Sequence, residues 1–435
     1  MYTRIGLWAL VAGWIISVPC LAQGDPAVTK ENAQLRQRVE TLEKQVEQLQ
    51  ATVKPPAAET APFSATPEAP AGLELDKKPL WSTLDIQFYG YIKLDAAWDS
   101  SGVFPGDYVL FTDRGRDGDD EFNLTAKQTR LGVKIQGPDT GNMKTSGVVE
   151  ADFYGAAGAE NKFDLLVRHA YMTFDWPDHK FSILAGQASD VISPLYPNTL
   201  NYTVLWDAGN IGYRHPQVRV TQQLQIRDDM TLELAGAISR TIGDVEILGF
   251  TPGADAGFPT FQGRAGLTFP WFGFKPTTVG VSAHWGREQY SSDNKVDSWS
   301  LNLDVLQPIC PVVTVKGELY VGENLDDYFG GIGQGVRGAF FAESHAIGDR
   351  GGWFAVGLGP WDAWSFNVGA GLDDVESGDV DTDDRTSNRS LFANAIYALN
   401  KNADIGVELS QWRTDFKGDD DVDDFRIQTS FIYKF

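Results

Sequence analysis

The sequence lacks the long apolar segments from which helical membrane proteins are built. Among its 435 residues, one apolar run stands near the start, between Ile5 and Val18. A helix that crosses a bilayer needs about 20 consecutive apolar residues, whereas the later part of this chain alternates apolar and polar residues. Hydrocarbon accepts only helices or closed barrels. If this chain lies in a membrane, the sequence therefore predicts a β-barrel.

Cysteine and positive charge are also scarce. Only Cys20 and Cys310 occur, and the first falls in a predicted signal peptide, so we expect no internal disulfide. The formal net charge of -23 is opposite to the basic footprint that nucleic acid requires. The five histidines are dispersed without ligand spacing, and neither a nucleophile elbow nor a phosphate loop occurs. We therefore expect no enzyme, no cofactor, no metal site and no nucleic-acid partner.

The acidic residues gather in three runs, at 114–121, 372–384 and 417–424. One interpretation is solvated loop charge. The other is divalent cation binding, within the loops or between the loops and anionic lipid. None of the runs has the spacing of a calcium-binding loop with its terminal Glu, so no metal ligand is named.

The N-terminal part divides into three segments before a long final domain. Residues 1–22 resemble a secretory signal, with Arg4, a short apolar core and a small-residue cleavage site ending at Ala22. Residues 23–53 form a predicted coiled-coil oligomerisation segment. Residues 54–80 are rich in Pro, Ala and Glu and predict an extended linker. The remaining residues, 81–435, form the predicted barrel.

The coiled-coil prediction depends on a strict heptad. Leucines repeat every seven residues at one core position, and mostly valines repeat at the other. The residues assigned to oligomerisation are Asn32, Leu35, Val39, Leu42, Val46 and Leu49. Val and Leu in these positions favour two strands, and the buried Asn fixes the register. The heptad alone therefore does not distinguish a dimer from a trimer.

The last eleven residues show the alternation of the barrel domain most clearly. Phe425, Ile427, Thr429, Phe431, Tyr433 and Phe435 take alternate positions, and Arg426, Gln428, Ser430 and Lys434 take most of the others. Because side chains alternate across a strand, one face is aromatic and uncharged while the other is polar. A strand with an apolar outside and a polar inside is typical of a barrel that stands in lipid.

Similar segments recur between turn signals from residue 84 onward. The expected strands are 85–98, 121–136, 144–155, 165–176, 180–187, 209–222, 230–240, 258–269, 277–288, 296–306, 312–323, 352–359, 363–373, 388–399, 403–414 and 423–435. Every second connection is short, and the others are mostly long and polar. The count of sixteen is even, as in bacterial barrels of one chain, and the two kinds of connection correspond to periplasmic turns and external loops.

Tryptophans fall near both ends of the expected strands. Trp176, Trp271 and Trp361 lie at short turns, and Trp98, Trp285, Trp299, Trp353 and Trp412 lie toward the long loops. This distribution predicts two interfacial belts. The fold class that follows is all-β: a 16-stranded antiparallel transmembrane β-barrel with an N-terminal α-helical coiled coil.

The same alternation assigns the residues that face the lumen. The predicted pore-lining, solute-contacting side chains are the cations Lys93, Arg130, Arg168, Arg219, Arg264 and Lys316. Four of these are arginines on expected strands 2, 4, 6 and 8, which predicts a cationic wall on one half of the barrel. Two interpretations stay open and are compatible: selection of solutes by charge, and bracing of the wall by pairing with Glu150 or Asp152.

The segment at 186–210, after expected strand 5, mixes apolar residues with two prolines and differs from the acidic loops. We expect it to fold back into the lumen and narrow the pore, with Asp190 and Tyr196 near the constriction. The alternative is a loop that caps the outer rim.

Several consecutive motifs resemble a known family. They are FYGYIKLDAAW, TAKQTRLGVKIQG, VVEADFYG, RHAYMTFDW, ILAGQ and YRHPQVRV. With the heptad segment ahead of the barrel, the chain resembles the DcaP-like porins of Gram-negative outer membranes over nearly its whole mature length. The resemblance implies a homotrimer stabilised by a periplasmic coiled coil, and a preference for small anions such as dicarboxylates. Arg130, Arg168 and Arg219 lie within these motifs.

The sequence thus predicts an outer-membrane porin, a passive diffusion channel for small hydrophilic and anionic solutes. Its expected partners are other copies of itself, outer-membrane lipid, lipopolysaccharide and the solutes. Two alternatives remain: a structural tether that joins the outer membrane to peptidoglycan through residues 25–80, and a phosphate-selective channel.

Overall fold

The computed structural model describes residues 84–155, 162–243, 252–272, 275–291, 294–338 and 344–435. The predicted signal peptide, coiled coil and linker lie outside these residues, as do the oligomerisation residues Asn32, Leu35, Val39, Leu42, Val46 and Leu49. Within the described residues, no helix is long and apolar enough to cross a membrane.

Sixteen antiparallel strands form one closed sheet. They are β1 Asp85–Asp99, β2 in two segments (Glu121–Thr125 and Arg130–Gln136), β3 Lys144–Asp152, β4 Leu166–Trp176, β5 Phe181–Ser189, β6 Arg214–Arg227, β7 Met230–Ser239, β8 Thr260–Phe269, β9 Thr277–Ser291, β10 Asn294–Cys310, β11 Val313–Glu323, β12 Gly348–Trp361, β13 Trp364–Val375, β14 Arg385–Asn400, β15 Ala403–Phe416 and β16 Val422–Lys434. Each strand pairs with the next in the chain. The pairing of β1 with β16, from Tyr91 opposite Lys434 to Asp99 opposite Arg426, closes the barrel. The predicted 16-stranded antiparallel barrel is confirmed.

Each expected strand overlaps one observed strand. The largest error is in β6, which was expected at 209–222 and begins five residues later, at Arg214. Residues 209–213 belong to the preceding loop, and the alternation continues as far as Arg227.

Short connections alternate with longer ones, as expected, except that β9 and β10 are separated by two residues at the long-loop end. The regular elements outside the barrel sheet are short. They are the strands Val103–Pro105, Val109–Thr112, Val336–Arg337 and His345–Ala346, the α-helix Pro252–Asp255, and the 3-10 helices Arg114–Arg116, Pro177–His179 and Asp326–Tyr328.

The outer face of the barrel is apolar and exposed. On β1 the exposed fraction of Phe88 is 73%, and on β16 Ile427 and Phe431 also project outward, whereas Arg426, next to Ile427 in the chain, is 1% exposed. Large apolar side chains are exposed in this way on many strands of the barrel, and soluble monomers rarely expose contiguous apolar surface of that extent. The alternation therefore gives an apolar outside and a polar inside, as a lipid-embedded barrel requires.

The interior toward the long-loop end is filled by three loops, which we call L1 (100–120), L3 (190–213) and L6 (324–347). Their apolar side chains pack together and against the inner wall. One cluster joins Phe111 of L1, Trp206 of L3 and Ile332 of L6. A second cluster places Leu205 of L3 against Trp353 and other wall residues. This end of the barrel thus contains an apolar core that is formed by side chains of the loops and of the inner wall.

Two tryptophans contradict the belt prediction. Trp353 is 3% exposed and Trp412 is 1% exposed, because both point into the lumen and pack in the second cluster. The Trp353 indole donates a hydrogen bond to Glu318 at 3.0 Å. By contrast, Trp98 and Trp285 are exposed toward the long-loop end, and Trp271 and Trp361 are exposed at the short turns. The belts exist, but these two residues do not belong to them.

Candidate functional site in the barrel lumen

L3 lies inside the barrel and is tied to the wall opposite its own strands. The Leu195 N–H donates to the Glu318 carboxylate of β11 at 2.8 Å. The Leu200 and Asn201 N–H groups donate to the two carboxylate oxygens of Glu408 on β15, at 2.6 and 3.1 Å. Two luminal carboxylates therefore satisfy backbone donors of the loop, and the loop crosses the lumen rather than capping the rim.

The base of L3 is closed by Asp190. Its backbone N–H donates to the Tyr213 carbonyl at 3.0 Å, and its carboxylate accepts hydrogen bonds from the Tyr213 N–H, His215 Nδ1 and Gln262 Nε2. Burial alone would raise the pKa of Asp190, but His215 and these hydrogen bonds lower it below its ordinary value. Asp190 is buried, so its contacts support a role in holding the two ends of the loop together. Tyr196 lies at the partly exposed tip of the loop, between two prolines.

L6 is joined to L3 and to the start of β12 by hydrogen bonds from its backbone to two carboxylates. The Gly333 N–H donates to Asp207 of L3 at 3.0 Å, and the Gly331 N–H donates to Asp349 at the start of β12 at 2.7 Å. Both glycines have positive φ values, near +65°, which suit glycine best. Burial raises the pKa of Asp207 to about 7. The glycine run of L6 therefore serves to bring its backbone close to two buried acids.

The luminal arginines differ in how they are neutralised. Arg168 donates to Glu150 at 3.1 Å and to Asp152 at 2.8 Å, and it also contacts the Tyr202 hydroxyl. Arg264 forms a two-point pair with Asp304, with nitrogen–oxygen distances of 3.0 and 2.7 Å. These two guanidinium groups are paired, and they brace the wall.

Arg130 and Arg219 keep more of their charge free. Arg130 approaches Glu150, which it shares with Arg168, only to 3.5 Å. Arg219 donates to the Ser189 carbonyl at 3.1 Å, and it forms no ion pair with any described residue. The Nε atoms of both arginines are buried without a hydrogen-bond acceptor. The cationic wall on β2, β4 and β6 thus carries a local excess of positive charge.

The two lysines predicted to line the pore have different environments. Lys93 is buried, and its ammonium group donates to the Leu200 carbonyl of L3 at 2.7 Å and pairs with Asp95 at 3.2 Å. Lys93 therefore anchors the loop. Lys316 is partly exposed, and it donates to the Asn198 side chain at the loop tip at 3.0 Å.

Tyrosine rings hold two cations of this wall in place. The Arg130 guanidinium lies 5.2 Å from the centre of the Tyr91 ring, and the Lys134 ammonium lies 4.9 Å from that of Tyr89. A ring face attracts a cation without neutralising it. These contacts position positive charge at the lumen surface and leave it available to a solute.

The lumen on the short-turn side of L3 is open to water. Gln223 and Glu233 project inward there, the first exposed and the second partly exposed, and their side chains are joined by a hydrogen bond of 3.2 Å. The barrel therefore combines a lumen with solvent-accessible polar side chains at one end with a loop-filled passage at the other. The cationic wall lies beside this passage.

Many of the acidic loop residues are paired within the chain. Arg114 bridges Asp383 and Asp419, and Arg413 pairs with Asp421 and Asp423. Among the described residues, no cluster of three or more potential metal ligands has metal-binding geometry. Acidic side chains of the long loops thus form ion pairs, some of which join one loop to another.

Sequence reasoning missed one luminal arginine and two of the inward loops. Arg214 is buried beside L3 at the start of β6, where strand alternation gives no orientation. L1 and L6 were expected to be ordinary long loops, because the polar and acidic residues around their apolar segments outweighed runs such as YVLF in L1. The strongest available signals were the GGIGQG run of L6 and the arginine in RHPQVRV.

The matches to known proteins agree with this geometry. The family model described as the DcaP outer membrane protein matches residues 29–265, more than half of the chain. This chain belongs to the DcaP outer membrane protein family. The resemblance predicted from the motifs is therefore confirmed. No curated protein matches the chain in sequence.

Solved structures show the same fold. The outer membrane channel DcaP of Acinetobacter baumannii aligns with a TM-score of 0.66 at 19% identity, over 81% of this chain and 98% of that chain. An anion-selective porin from Comamonas acidovorans aligns with a TM-score of 0.52 at 12% identity, over 81% and 100%. OmpT of Vibrio cholerae aligns with a TM-score of 0.50 at 12% identity, over 81% and 98%. This DcaP-family protein is an outer-membrane, porin-like channel.

Proposed function

We propose that this channel passes small hydrophilic anions of the dicarboxylate type by passive diffusion. The observation that carries the proposal is the excess positive charge on the wall beside L3, where Arg219 has no carboxylate partner among the described residues and Arg130 shares Glu150 with Arg168. Fixed charge at the narrow part of a pore selects ions by sign. The porin from Comamonas acidovorans, which shares the fold, is itself anion-selective.

The paired arginines contribute to shape more than to selection. Arg168 and Arg264 are held by carboxylates, so their net field on a passing ion is small. Lys316 of β11, which contacts the tip of L3, adds a further positive group near the passage. We assign solute contact chiefly to Arg130, Arg219 and Lys316, with Tyr196 at the constriction.

The decisive experiment is ion selectivity in a planar bilayer. The purified protein is reconstituted and the reversal potential is measured across a tenfold gradient of potassium chloride. Anion preference is expected, and it should weaken as ionic strength rises, because salt screens the wall. Cation selectivity at low salt would overturn the proposal.

Removal of residues 194–199 from the tip of L3 should raise single-channel conductance, and an unchanged value would contradict the proposal that L3 forms the constriction.

We further propose that the protein is a homotrimer whose residues 23–53 form a coiled coil in the periplasm. Support comes from the heptad and from the match to the family model, which begins at residue 29. The apolar belt then contacts outer-membrane lipid, and the long loops face lipopolysaccharide. Cross-linking of the detergent-solubilised protein tests the assembly, and a single barrel under all conditions would contradict it.

A further inference from the structure

Arg214 is the first residue of β6, and it is 3% exposed. Its guanidinium carbon lies 4.2 Å from the centre of the Tyr213 ring and 5.6 Å from that of Trp206. Trp206 belongs to L3, so the arginine is enclosed between the wall and the loop. A full positive charge is thus held in a largely aromatic environment.

Among the described residues, Arg214 forms no ion pair with a carboxylate. Asp190 at the base of L3 already accepts hydrogen bonds from the Tyr213 N–H, His215 and Gln262. Two of these donors, Tyr213 and His215, are the residues on either side of Arg214. The Nε and Nη2 atoms of Arg214 are buried without a hydrogen-bond acceptor.

A second orphaned donor belongs to the ring that packs on the same guanidinium. The Trp206 indole Nε1 is buried and has no acceptor. Asn210, whose backbone bridges that of Trp206, has a buried Oδ1 without a donor. That amide oxygen carries no charge, so it does not neutralise the arginine.

A buried charge without a partner is strongly unfavourable, and aromatic rings compensate only part of that cost. Unpartnered N–H groups on a buried cation are matched by an acceptor with negative charge. We propose that Arg214 and the indole N–H of Trp206 form an internal binding site for one small monovalent anion, a halide or a carboxylate. The bound anion joins L3 to the wall at β6.

This site is separate from the selectivity proposal. It binds a resident anion in a buried position, and it does not require that the pore prefer anions. The reversal potential of the wild-type channel and the occupancy of this site are independent measurements, so either proposal can fail without the other.

The test is crystallographic, with bromide as the probe. Crystals of the full-length protein grown or soaked in sodium bromide should show an anomalous peak beside Arg214 and Trp206. No such peak is expected at Arg264 in the same crystals, because Asp304 already neutralises that arginine. Absence of the peak beside Arg214, or an equal peak at Arg264, would overturn the proposal.

Variants identify the ligating groups. The peak should be lost in Arg214→Gln and should weaken in Trp206→Phe, which keeps an aromatic ring but removes the indole N–H. Addition of sodium formate should lower the bromide peak if the site also accepts a carboxylate, and an unchanged peak would restrict it to halides. A full peak in Arg214→Gln would show that the arginine is not the ligand.

A solution measurement covers the case in which Arg214→Gln does not fold. Hydrogen exchange of L3 peptides is compared in potassium chloride and in potassium gluconate at equal ionic strength. Wild-type L3 should be more protected in chloride, because gluconate is too bulky for the site, and Trp206→Phe should lose most of that difference. Equal protection of wild-type L3 in both salts would contradict the proposal.

Discussion

The arginines inside this barrel have the same side chain and different electrostatic roles. Arg264 is held at two points by Asp304, whereas Arg219 donates to a backbone carbonyl and has no carboxylate partner among the described residues. Strand alternation alone predicts that both side chains face the lumen. It does not predict which of them is neutralised, since the partner Asp304 lies 40 residues away and its position depends on strand register.

Replacement of one unpaired arginine should reduce anion preference. We expect Arg219→Gln to lower the anion-over-cation permeability ratio about tenfold. One unit charge about 6 Å from a monovalent ion is worth roughly 0.7 kcal/mol in a water-like medium, which is about threefold in favour of an anion and about threefold against a cation. The reversal potential in a potassium chloride gradient measures the change.

The matched control removes a luminal arginine together with its acid. Arg264→Gln combined with Asp304→Asn leaves the net charge of the wall unaltered, so its reversal potential should equal that of the wild type. A shift as large as that of Arg219→Gln would show that pairing does not decide which arginine acts on ions.

The docking of L3 should depend on pH through Asp207. Burial raises its pKa from 3.8 to about 7 in the docked loop. A released loop would expose this carboxyl to water and restore its ordinary pKa, so the docked state binds a proton more readily. The contribution to docking is therefore full below about pH 4 and is lost as the pH rises through about 7.

Hydrogen exchange of L3 peptides, corrected for intrinsic rates, measures this dependence. Protection in the wild type should fall as the pH rises from about 4 to about 7, and it should level off above that range. Asp207→Asn keeps an acceptor for the Gly333 N–H but does not titrate, so its protection should fall less. If the variant shows the same fall as the wild type, Asp207 is not the group responsible.

At the scale of the elements, strand positions were predictable and loop positions were largely not. A strand is a local pattern with a period of two, so β16 is evident from its own residues. The burial of L1 and L6 depends on contacts between distant segments, such as Phe111 with Ile332. Trp412 shows a different limit. Its even spacing from Glu408 on β15 assigns it to the luminal face, but its residue type and its place near the strand end suggested a belt position instead.

The part of the inner wall against which L3 packs includes a glycine. A Cβ atom on Gly371 of β13 would collide with the Ala208 carbonyl of L3. We expect Gly371→Ala to displace this part of the loop and to raise single-channel conductance, with more open-state noise. Gly236 of β7 has no atom within 4 Å of an added Cβ, so Gly236→Ala should leave conductance unchanged.

Bilayer recordings of the two variants test whether Gly371 sets the position of L3. An unchanged conductance in Gly371→Ala would mean that the loop accommodates the methyl group without moving. In that event the wall glycine does not control the aperture.

At the scale of the whole molecule, the sequence predicted the closed barrel, its strand number and its family. These properties follow from repetition, since sixteen short patterns support one another even where a single one is ambiguous. The alternation of short and long connections is confirmed, and the periplasmic orientation of the short turns stays a prediction. The filling of one end by three loops was not predicted, because it comes from the packing of the assembled molecule.

The N-terminal segment should control assembly without controlling permeation. We expect deletion of residues 23–53 from the mature protein to lower the temperature at which oligomers dissociate in detergent. The conductance of a single barrel should be unchanged, because the described passage contains none of those residues. Semi-native electrophoresis and bilayer recording measure the two effects.

Either of two results would contradict this division of roles. A loss of conductance would place the segment in the permeation path, and an unchanged dissociation temperature would remove it from assembly. Substitution of Leu35, Leu42 and Leu49 by Asn gives a variant of full length for comparison.

The crossing of L3 also has a mechanical consequence. A thin cylinder of strands resists stretching around its circumference, but it flattens easily when pressed from one side. L3 joins β5 and β6 to Glu318 and Glu408 on the far wall, and thus acts as an internal strut. When lateral pressure in the bilayer changes, the strut carries the load across the diameter, and the aperture beside it keeps its shape.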